Sequence, residues 1–250
     1  MRSGARILLP VMAMIVATGA ALMGRAAAAT PAPTAAAAKS ESARPKPGSP
    51  AAAVTSAPAK PVTSAAQLAA LTRDTAKSLA NARVVRGEFV QQRRLAGLSK
   101  PLQSDGDFLF ARDLGIEWHT RQPFDSQFVL THDRITQRDE GGETLQISAA
   151  DQPALTVVSR VFFALFALDF QSLSQDFAMS GIDTKGADWQ LQLTPKTAAL
   201  GSVFKRADLE GDATVKRVVL QDANGDSTTI ELRAVRYDAA GLTADERRRF

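Results

Sequence analysis

The chain has 250 residues, with 30 Lys and Arg against 26 Asp and Glu, and it contains no cysteine. Without cysteine, a disulfide-stabilised fold and a thiol-linked lipid anchor are both excluded, so we expect a soluble mature protein that depends on its own core. No basic run interleaved with aromatic residues is present, and we therefore expect no nucleic-acid partner.

The N-terminus has the pattern of a secretory signal peptide. Two arginines precede an uncharged apolar stretch at 7–23, which is short for crossing a membrane, and small residues follow it. We predict a signal peptide at 1–29, with cleavage after Ala29 or, nearly as well, after Ala27. This signal is expected to direct the protein to the periplasm, and its cleavage reduces the formal net charge from +4 to +1. The alternative is an uncleaved membrane anchor.

Composition divides the remainder of the chain into three parts. Residues 30–63 are dominated by Ala, Pro, Ser and Thr and contain no aromatic residue, which predicts a disordered linker. Residues 64–237 are long enough to form one domain with a sizeable core. A polar C-terminal tail follows at 238–250, in which Thr243 and Glu246 predict the cap of a short helix and the arginine run predicts a solvated end.

A helix is predicted at 64–81, with Ser64 as its cap. The period then changes to two, and Gly87 interrupts the first strand as a bulge or a point of close approach. Short polar or glycine turns between the following segments indicate an antiparallel meander, broken by one helix at 153–170. The further strands are predicted at 106–112, 116–120, 126–131, 135–138, 177–180, 189–194, 202–209, 215–221 and 227–235.

The helix at 153–170 is apolar on every side, because residues 161–168 contain no polar side chain. A helix that lies on a sheet needs only one apolar stripe, so this one is expected to contact something on both faces. Two interpretations remain open from the pattern alone. It is either a fully buried core helix or a lid between the sheet and an apolar ligand.

Side chains suited to catalysis are few. His119 and His132 are the only histidines, each is predicted at the surface, and no nucleophile, phosphate-loop or metalloprotease motif is present. Asp222 and Asp226 alternate like calcium ligands, but a hairpin turn containing Asn224 explains them more simply. We therefore predict a protein that is not an enzyme and that has no metal and no cofactor.

Several segments together resemble the LolA family of periplasmic outer-membrane lipoprotein carriers over residues 65–235. Their order and spacing carry the resemblance, since no single segment is specific. The segments are Gly87-x-Phe89-x-Gln91, Gly106-Asp107-Phe108-Leu109-Phe110-Ala111-Arg112 followed by Trp118 and Pro123, Trp189-x-Leu191-x-Leu193-Thr194-Pro195-Lys196, and Leu220-x-Asp222-x-x-Gly225-Asp226-x-Thr228.

The resemblance implies an α+β, mainly β fold, in which a strongly curved antiparallel sheet forms an incomplete barrel closed by helices over an apolar cavity. It also implies that Arg112 latches the lid by hydrogen bonds to the lid backbone, although Asp113 stands where the family usually has proline. We expect the cavity to bind acyl chains through side chains from several strands and the lid. These are Phe89, Phe108, Phe110, Ile116, Trp118, Phe162, Phe166 and Leu191.

By the same resemblance, the partners are an acylated lipoprotein as cargo, an inner-membrane transporter as donor and an outer-membrane acceptor. We expect the protein to act as a monomer. Two alternatives stay open: a carrier of the same fold for another lipid, such as a glycolipid or an acylated pigment, and a regulatory protein that senses lipid.

Overall fold

The computed structural model describes most of the chain after the predicted linker, namely residues 63–151, 154–183, 188–202 and 204–250. The predicted signal peptide, and all of the predicted linker except Thr63, lie outside the described residues. Within the described residues, no helix combines the length and apolarity needed to span a membrane.

The described chain forms one large sheet. In chain order its strands are β1 (Val84–Arg94), β2 (Leu102–Ala111), β3 (Gly115–Gln122), β4 (Ser126–Thr131), β5 (Arg134–Asp139), β6 (Gly142–Ser148), β7 (Phe177–Asp183), β8 (Trp189–Pro195), β9 (Phe204–Gly211), β10 (Val215–Asp222) and β11 (Ser227–Asp238). Their spatial order is β6-β5-β4-β3-β2-β1-β11-β10-β9-β8-β7, and neighbouring strands are antiparallel.

The sheet is strongly curved but remains open. Strands β3 and β9 are five places apart, which in a flat sheet is about 24 Å. Nevertheless Ile116 on β3 and Leu209 on β9 line the same small cavity. The two outermost strands, β6 and β7, are not paired with each other in the described part of the chain. The predicted fold class, a mainly β incomplete barrel, is confirmed.

Alternating side chains decide which face of the sheet turns inward. On β8, Trp189, Leu191 and Leu193 are buried, while Gln190 and Thr194 are exposed. Burying one apolar face and leaving the other in water stabilises the sheet by about 1.5–3 kcal/mol for each large side chain. The alternation predicted for this strand is confirmed.

A β-bulge bends the middle of the sheet. Between the pairs Arg86↔Arg236 and Glu88↔Arg233, two residues of β11, Ala234 and Val235, oppose the single residue Gly87 of β1. A side chain at Gly87 would place its Cβ 2.6 Å from the ring of Phe108, closer than real contacts allow. The predicted close approach at Gly87 is confirmed, whereas the extra residue of the bulge lies on β11 and not on β1.

The helices differ from the predictions in how they are divided. They are α1 (Ala65–Leu71), α2 (Arg73–Asn81), α3 (Ala154–Ala167), α4 (Phe170–Asp176), α5 (Ala198–Gly201) and α6 (Ala244–Arg247). The single helix predicted at 64–81 is two helices that meet at Thr72, although Ser64 caps the first as expected. The helix predicted at 153–170 ends earlier, because Leu168 takes a φ of 50° and Asp169 caps a new helix.

One strand was missed and one hairpin was predicted correctly. Strand β6 was missed although Leu145 and Ile147 alternate with polar residues, and it pairs with β5 at the edge of the sheet. The predicted turn between β10 and β11 is confirmed, with Gly225 at a φ of 96°. There the Asp226 amide donates to the Asn224 side chain over 3.0 Å, an interaction within the turn.

The C-terminal segment folds back onto the outer face of the sheet. As predicted, Thr243 and Glu246 form a capping box. The arginines at 247–249 are exposed, as predicted. Arg249 also contacts the sheet, because its guanidinium lies 3.2 Å from the Glu117 carboxylate on β3, a side chain with only 3% of its surface exposed. Beside it, Phe250 packs in a small outer cluster with Val84, Leu109, Ala111, Leu114 and Leu242.

Candidate functional site

An apolar cavity of about 150 Å³ lies inside the curved sheet. Its described lining contains only two polar side-chain atoms, the indole nitrogen of Trp118 and the hydroxyl of Tyr237. The lining residues are Leu79, Val85, Phe108, Ile116, Trp118, Phe128, Phe162, Leu165, Phe166, Ala207, Leu209, Val215, Val218, Leu220, Ile230, Leu232, Val235 and Tyr237.

Strand register brings these side chains together from both halves of the sheet. Trp118 on β3 stands opposite Phe128 on β4. In the other half, Val218 on β10 stands between Leu209 on β9 and Ile230 on β11. Residues directly opposite in neighbouring strands point to the same face, so each row forms a continuous apolar wall.

Helix α3 covers the cavity. Phe162, Leu165 and Phe166, at positions i, i+3 and i+4 of the helix, all line it. These three side chains are only half-buried, and Arg160 and Ala167 on the same helix are exposed. Helix α3 therefore lies at the surface with one side on the cavity, which excludes the interpretation as a fully buried core helix.

A hydrogen bond anchors α3 to the sheet. The Ser159 hydroxyl, in a residue only 2% exposed, donates to the Thr131 carbonyl at the end of β4 over 3.0 Å. Sequence reasoning missed this contact. A lone serine in an apolar helix carries no signal of its partner, because Thr131 lies on a distant part of the chain.

Five of the eight predicted binding residues line the cavity: Phe108, Ile116, Trp118, Phe162 and Phe166.

The other three predicted residues lie outside the lining. Phe89 stacks behind Trp118 at a ring distance of 3.9 Å. Phe110 stacks on Phe166 at 5.0 Å, on the far side of that ring from the cavity. Leu191 is 1% exposed and packs in the main core.

The sequence analysis also missed most of the wall formed by β9, β10 and β11. Val218, Leu220, Ile230 and Leu232 alternate along predicted strands, and this was the available signal. Alternation identifies the buried face of each strand, but it does not identify which strands face one another across a curved sheet.

Arg112 lies in the turn after β2, and its Nη2 donates to the carbonyl of Leu79 in the last turn of α2. The contact that the resemblance implied was with the lid backbone. The observed hydrogen bond instead holds α2, whose Leu79 side chain lines the cavity from another side. Its role as a latch on α3 stays a prediction.

The cavity lining carries no charge at neutral pH. Burial raises the pKa of Tyr237 to about 12, and the negative charge of nearby Asp212 acts in the same direction. The neutral hydroxyl donates to the Ala213 carbonyl over 3.4 Å. An apolar ligand therefore meets no ionised group there.

The two histidines lie outside the cavity lining. His119 is on the outer face, with its Nε2 3.0 Å from Asp125, and His132 stacks on Phe163 at 3.9 Å. Among the described residues, no three His, Asp or Glu side chains are grouped to hold a metal ion.

An open antiparallel sheet that encloses an uncharged apolar cavity beneath a surface helix defines a class of binding proteins for apolar ligands. The family model described as "Outer membrane lipoprotein carrier protein LolA" matches residues 80–244. The chain therefore belongs to the LolA family. This family consists of binding and carrier proteins of the cell envelope rather than enzymes, and its fold is that of lipid- or lipoprotein-binding carrier or sorting proteins.

No curated protein matches the chain. Among solved structures, the chain is similar to the Pseudomonas aeruginosa MucA/MucB complex at 12% identity and a TM-score of 0.43, covering 72% of this chain and 59% of that one. A LolA superfamily protein of Nitrosomonas europaea has 7% identity and a TM-score of 0.40, with coverage of 74% and 96%. A lipoprotein-sorting domain of Vibrio parahaemolyticus has 8% identity and a TM-score of 0.35, with coverage of 70% and 94%.

Proposed function

We propose that this protein is a periplasmic carrier that encloses the acyl chains of lipoproteins and moves them from the inner to the outer membrane. The observation that carries the proposal is the uncharged apolar cavity between the sheet and α3. The predicted signal peptide at 1–29 supports export, and the family match supports a lipid-bearing cargo.

A carrier is needed because an acyl chain is costly to expose to water. Each methylene costs about 0.8 kcal/mol, so one long chain costs on the order of 10 kcal/mol. Cargo therefore does not cross the periplasm freely. A cavity built from valine, leucine, isoleucine and phenylalanine offsets this cost without requiring any specific polar contact.

The cavity is too small to hold a complete acyl chain in the observed state. An engineered cavity of about 150 Å³ holds one benzene molecule, and this one has the same volume. We infer that α3 moves outward when cargo enters. The helix is suited to this movement because it lies at the surface and ends at Ala167, just before Leu168, where the backbone changes direction before α4.

Loading and release both require contacts that are strong enough to close the lid and weak enough to break. The hydrogen bond from Ser159 to Thr131 and the stacking of Phe110 on Phe166 meet this requirement, since each contributes only about 1 kcal/mol. Arg112 contributes a further contact through α2. Lid opening thus needs only a modest shift in free energy.

Transport implies a donor and an acceptor. On the family resemblance, the donor is an inner-membrane ABC transporter and the acceptor is an outer-membrane receptor, and the carrier works as a monomer between them.

The test is to express the full chain with its own N-terminus, purify the protein from the periplasm, and identify bound molecules by native mass spectrometry. Acylated peptides are the expected result. A glycolipid or an acylated pigment as the bound species would assign another cargo to the same cavity. Repeated recovery of protein free of any lipid would contradict the carrier function.

A further inference from the structure

A second depression, of about 470 Å³, lies on the opposite side of α3 from the apolar cavity. Three basic side chains line it: Arg112 after β2, His132 between β4 and β5, and Arg160 on α3. The apolar cavity has no such groups among its described lining. The two sites therefore differ sharply in chemistry although they share a wall.

The shared wall contains a pair of stacked aromatic rings. Phe110 lines the basic depression and stacks on Phe166, which lines the apolar cavity, at 5.0 Å and an interplanar angle of 20°. Phe163 packs against Phe110 at 5.9 Å and against His132 at 3.9 Å. A molecule that displaces the pair of Phe110 and Phe166 would reach the cavity and the basic depression together.

The basic side chains retain capacity for a ligand. The Arg112 guanidinium makes one hydrogen bond in the described structure, to Leu79, although it has five N–H donors. Arg160 is already paired with Asp176 at 2.8 Å and donates to Gln175 at 3.3 Å, so only its remaining N–H donors are open to a ligand.

The acidic residue in the lining is already engaged within the protein. Asp169 accepts hydrogen bonds from the Ser172 hydroxyl at 2.6 Å and from the Ser172 amide at 3.1 Å, where it caps α4. These bonds lower the pKa of Asp169, so it stays ionised without needing a cation from the depression. The described lining thus holds two arginines and one committed carboxylate, and Arg160 is also paired with Asp176 just outside the lining.

We propose that the depression lined by Arg112, His132 and Arg160 binds the anionic oxygen-bearing group, a phosphate or a carboxylate, of an amphiphile whose acyl chain enters the apolar cavity. This inference rests on the proposed carrier function. Guanidinium groups suit the role because their planar donors match the oxygens of phosphate and carboxylate. The exposed hydroxyl of Thr156 is a further donor in the same lining.

The test compares ligands with the same chain and different headgroups. The purified protein is titrated with dodecyl phosphate and with dodecanol, and the two dissociation constants are measured by calorimetry. Dodecyl phosphate is expected to bind about tenfold more tightly, the effect of one charge-assisted hydrogen bond. Equal affinities would overturn the headgroup site while leaving the carrier function intact. Failure of both ligands to bind would overturn the carrier function as well.

Variants assign the preference to the depression. Arg160→Gln is expected to remove most of the preference for dodecyl phosphate and to leave dodecanol binding unchanged. Arg217→Gln is the matched control, because Arg217 is an exposed arginine on β10 that pairs with Glu210 instead. A full preference retained in Arg160→Gln and in Arg112→Gln would overturn the proposal. Thermal unfolding of each variant confirms that it is folded.

Inorganic phosphate separates a headgroup site from a site for free anions. Millimolar phosphate is expected to weaken the binding of dodecyl phosphate and to leave dodecanol unaffected. Equal binding of phosphate to the empty protein and to protein saturated with dodecyl phosphate would show an independent anion site, and would overturn the link to the acyl chain.

Discussion

Ser159 on α3 donates a hydrogen bond to Thr131 at the end of β4, with 3.0 Å between the hydroxyl and carbonyl oxygens. The contact joins the helix that covers the apolar cavity to the half of the sheet that contains Ile116 and Trp118. Because Ser159 is almost fully buried, water has little access to its hydroxyl. The pair is thus a direct polar connection between the lid and the barrel.

Replacing Ser159 with alanine should loosen the lid. The loss of this part-buried hydrogen bond is expected to lower the free energy of unfolding by about 1 kcal/mol. It should also speed the release of a fluorescent fatty acid in stopped-flow measurements. Ser174→Ala is the control, because the Ser174 hydroxyl bonds only to Gln171 within its own helix. Identical release rates in the two variants would show that Ser159 does not hold the lid.

Arg112→Leu tests the predicted latch. The substitution removes the hydrogen bond to Leu79 and is expected to increase the fraction of cargo that is trapped or released without an acceptor. Transfer to acceptor membranes, measured with a labelled lipoprotein, checks this outcome. Arg121→Leu is a suitable control, since Arg121 is a half-exposed arginine near Asp107 on the outer face. Normal transfer by Arg112→Leu would refute the latch.

The apolar cavity can be tested with two neighbouring valines on β10. Val218 lines the cavity, whereas Val219 points to the other face of the strand. Val218→Phe is expected to fill part of the cavity and weaken fatty-acid binding about tenfold, while Val219→Phe should leave binding nearly unchanged. Calorimetry measures both affinities. Equal affinities would place the ligand elsewhere.

The attachment of the C-terminal segment should depend on pH. Hydrogen bonds from Arg86 lower the pKa of Glu246 to about 2 from its usual 4.5. The pKa of Glu246 is lower in the folded than in the unfolded protein, so its ionised carboxylate stabilises the fold at pH values above about 4.5. This stabilisation is lost as the pH falls from about 4.5 to about 2. Solvent still screens this partly exposed pair, so we expect about 1 kcal/mol.

The measurement for this pair is the difference in unfolding free energy between the wild type and Glu246→Gln. The difference should be present near neutral pH and should disappear in acid. Glu231→Gln, which breaks an exposed pair with Arg233, should change stability by less than about 0.5 kcal/mol at any pH. A difference in unfolding free energy that does not change with pH would contradict the lowered pKa of Glu246.

The bulge on β11 places Ala234 at a φ of 48°, in the left-handed region that disfavours residues with a Cβ. Ala234→Gly should therefore raise the free energy of unfolding by about 1 kcal/mol. At Ala178, an exposed residue in β7, the same substitution should lower it by about 0.5–1 kcal/mol. Urea unfolding of both variants measures the effects. A loss of stability in Ala234→Gly would show that the backbone at Ala234 is not strained.

Local patterns predicted local structure well. Alternation at Trp189 and Leu191 identified the buried face of β8, and Gly225 marked the turn of a hairpin. The capping box of Thr243 and Glu246 predicted a helix of one turn. Each of these features depends on residues a few positions apart, whose backbone geometry and exposure act directly on one another.

The candidate site was predictable only in part. Ile116 and Trp118 were expected in the cavity from alternation and resemblance, and they line it. Phe89 was expected beside them but lies behind Trp118, whose ring stacks on it and faces the cavity in its place. Helix breaks at Thr72 and Leu168 were also missed, since packing rather than propensity decides where these helices end.

The sequence alone determined that the domain is free of cysteine and rich in β-strands. It also determined the inward face of most strands and the helix that has no polar side in its central turns. Only the tertiary structure decided that β9, β10 and β11 complete the cavity, that Ser159 anchors the lid, and that Arg249 reaches buried Glu117. The reason is physical. Alternation and capping act over a few residues, whereas these contacts join distant segments and depend on the curvature of the whole sheet.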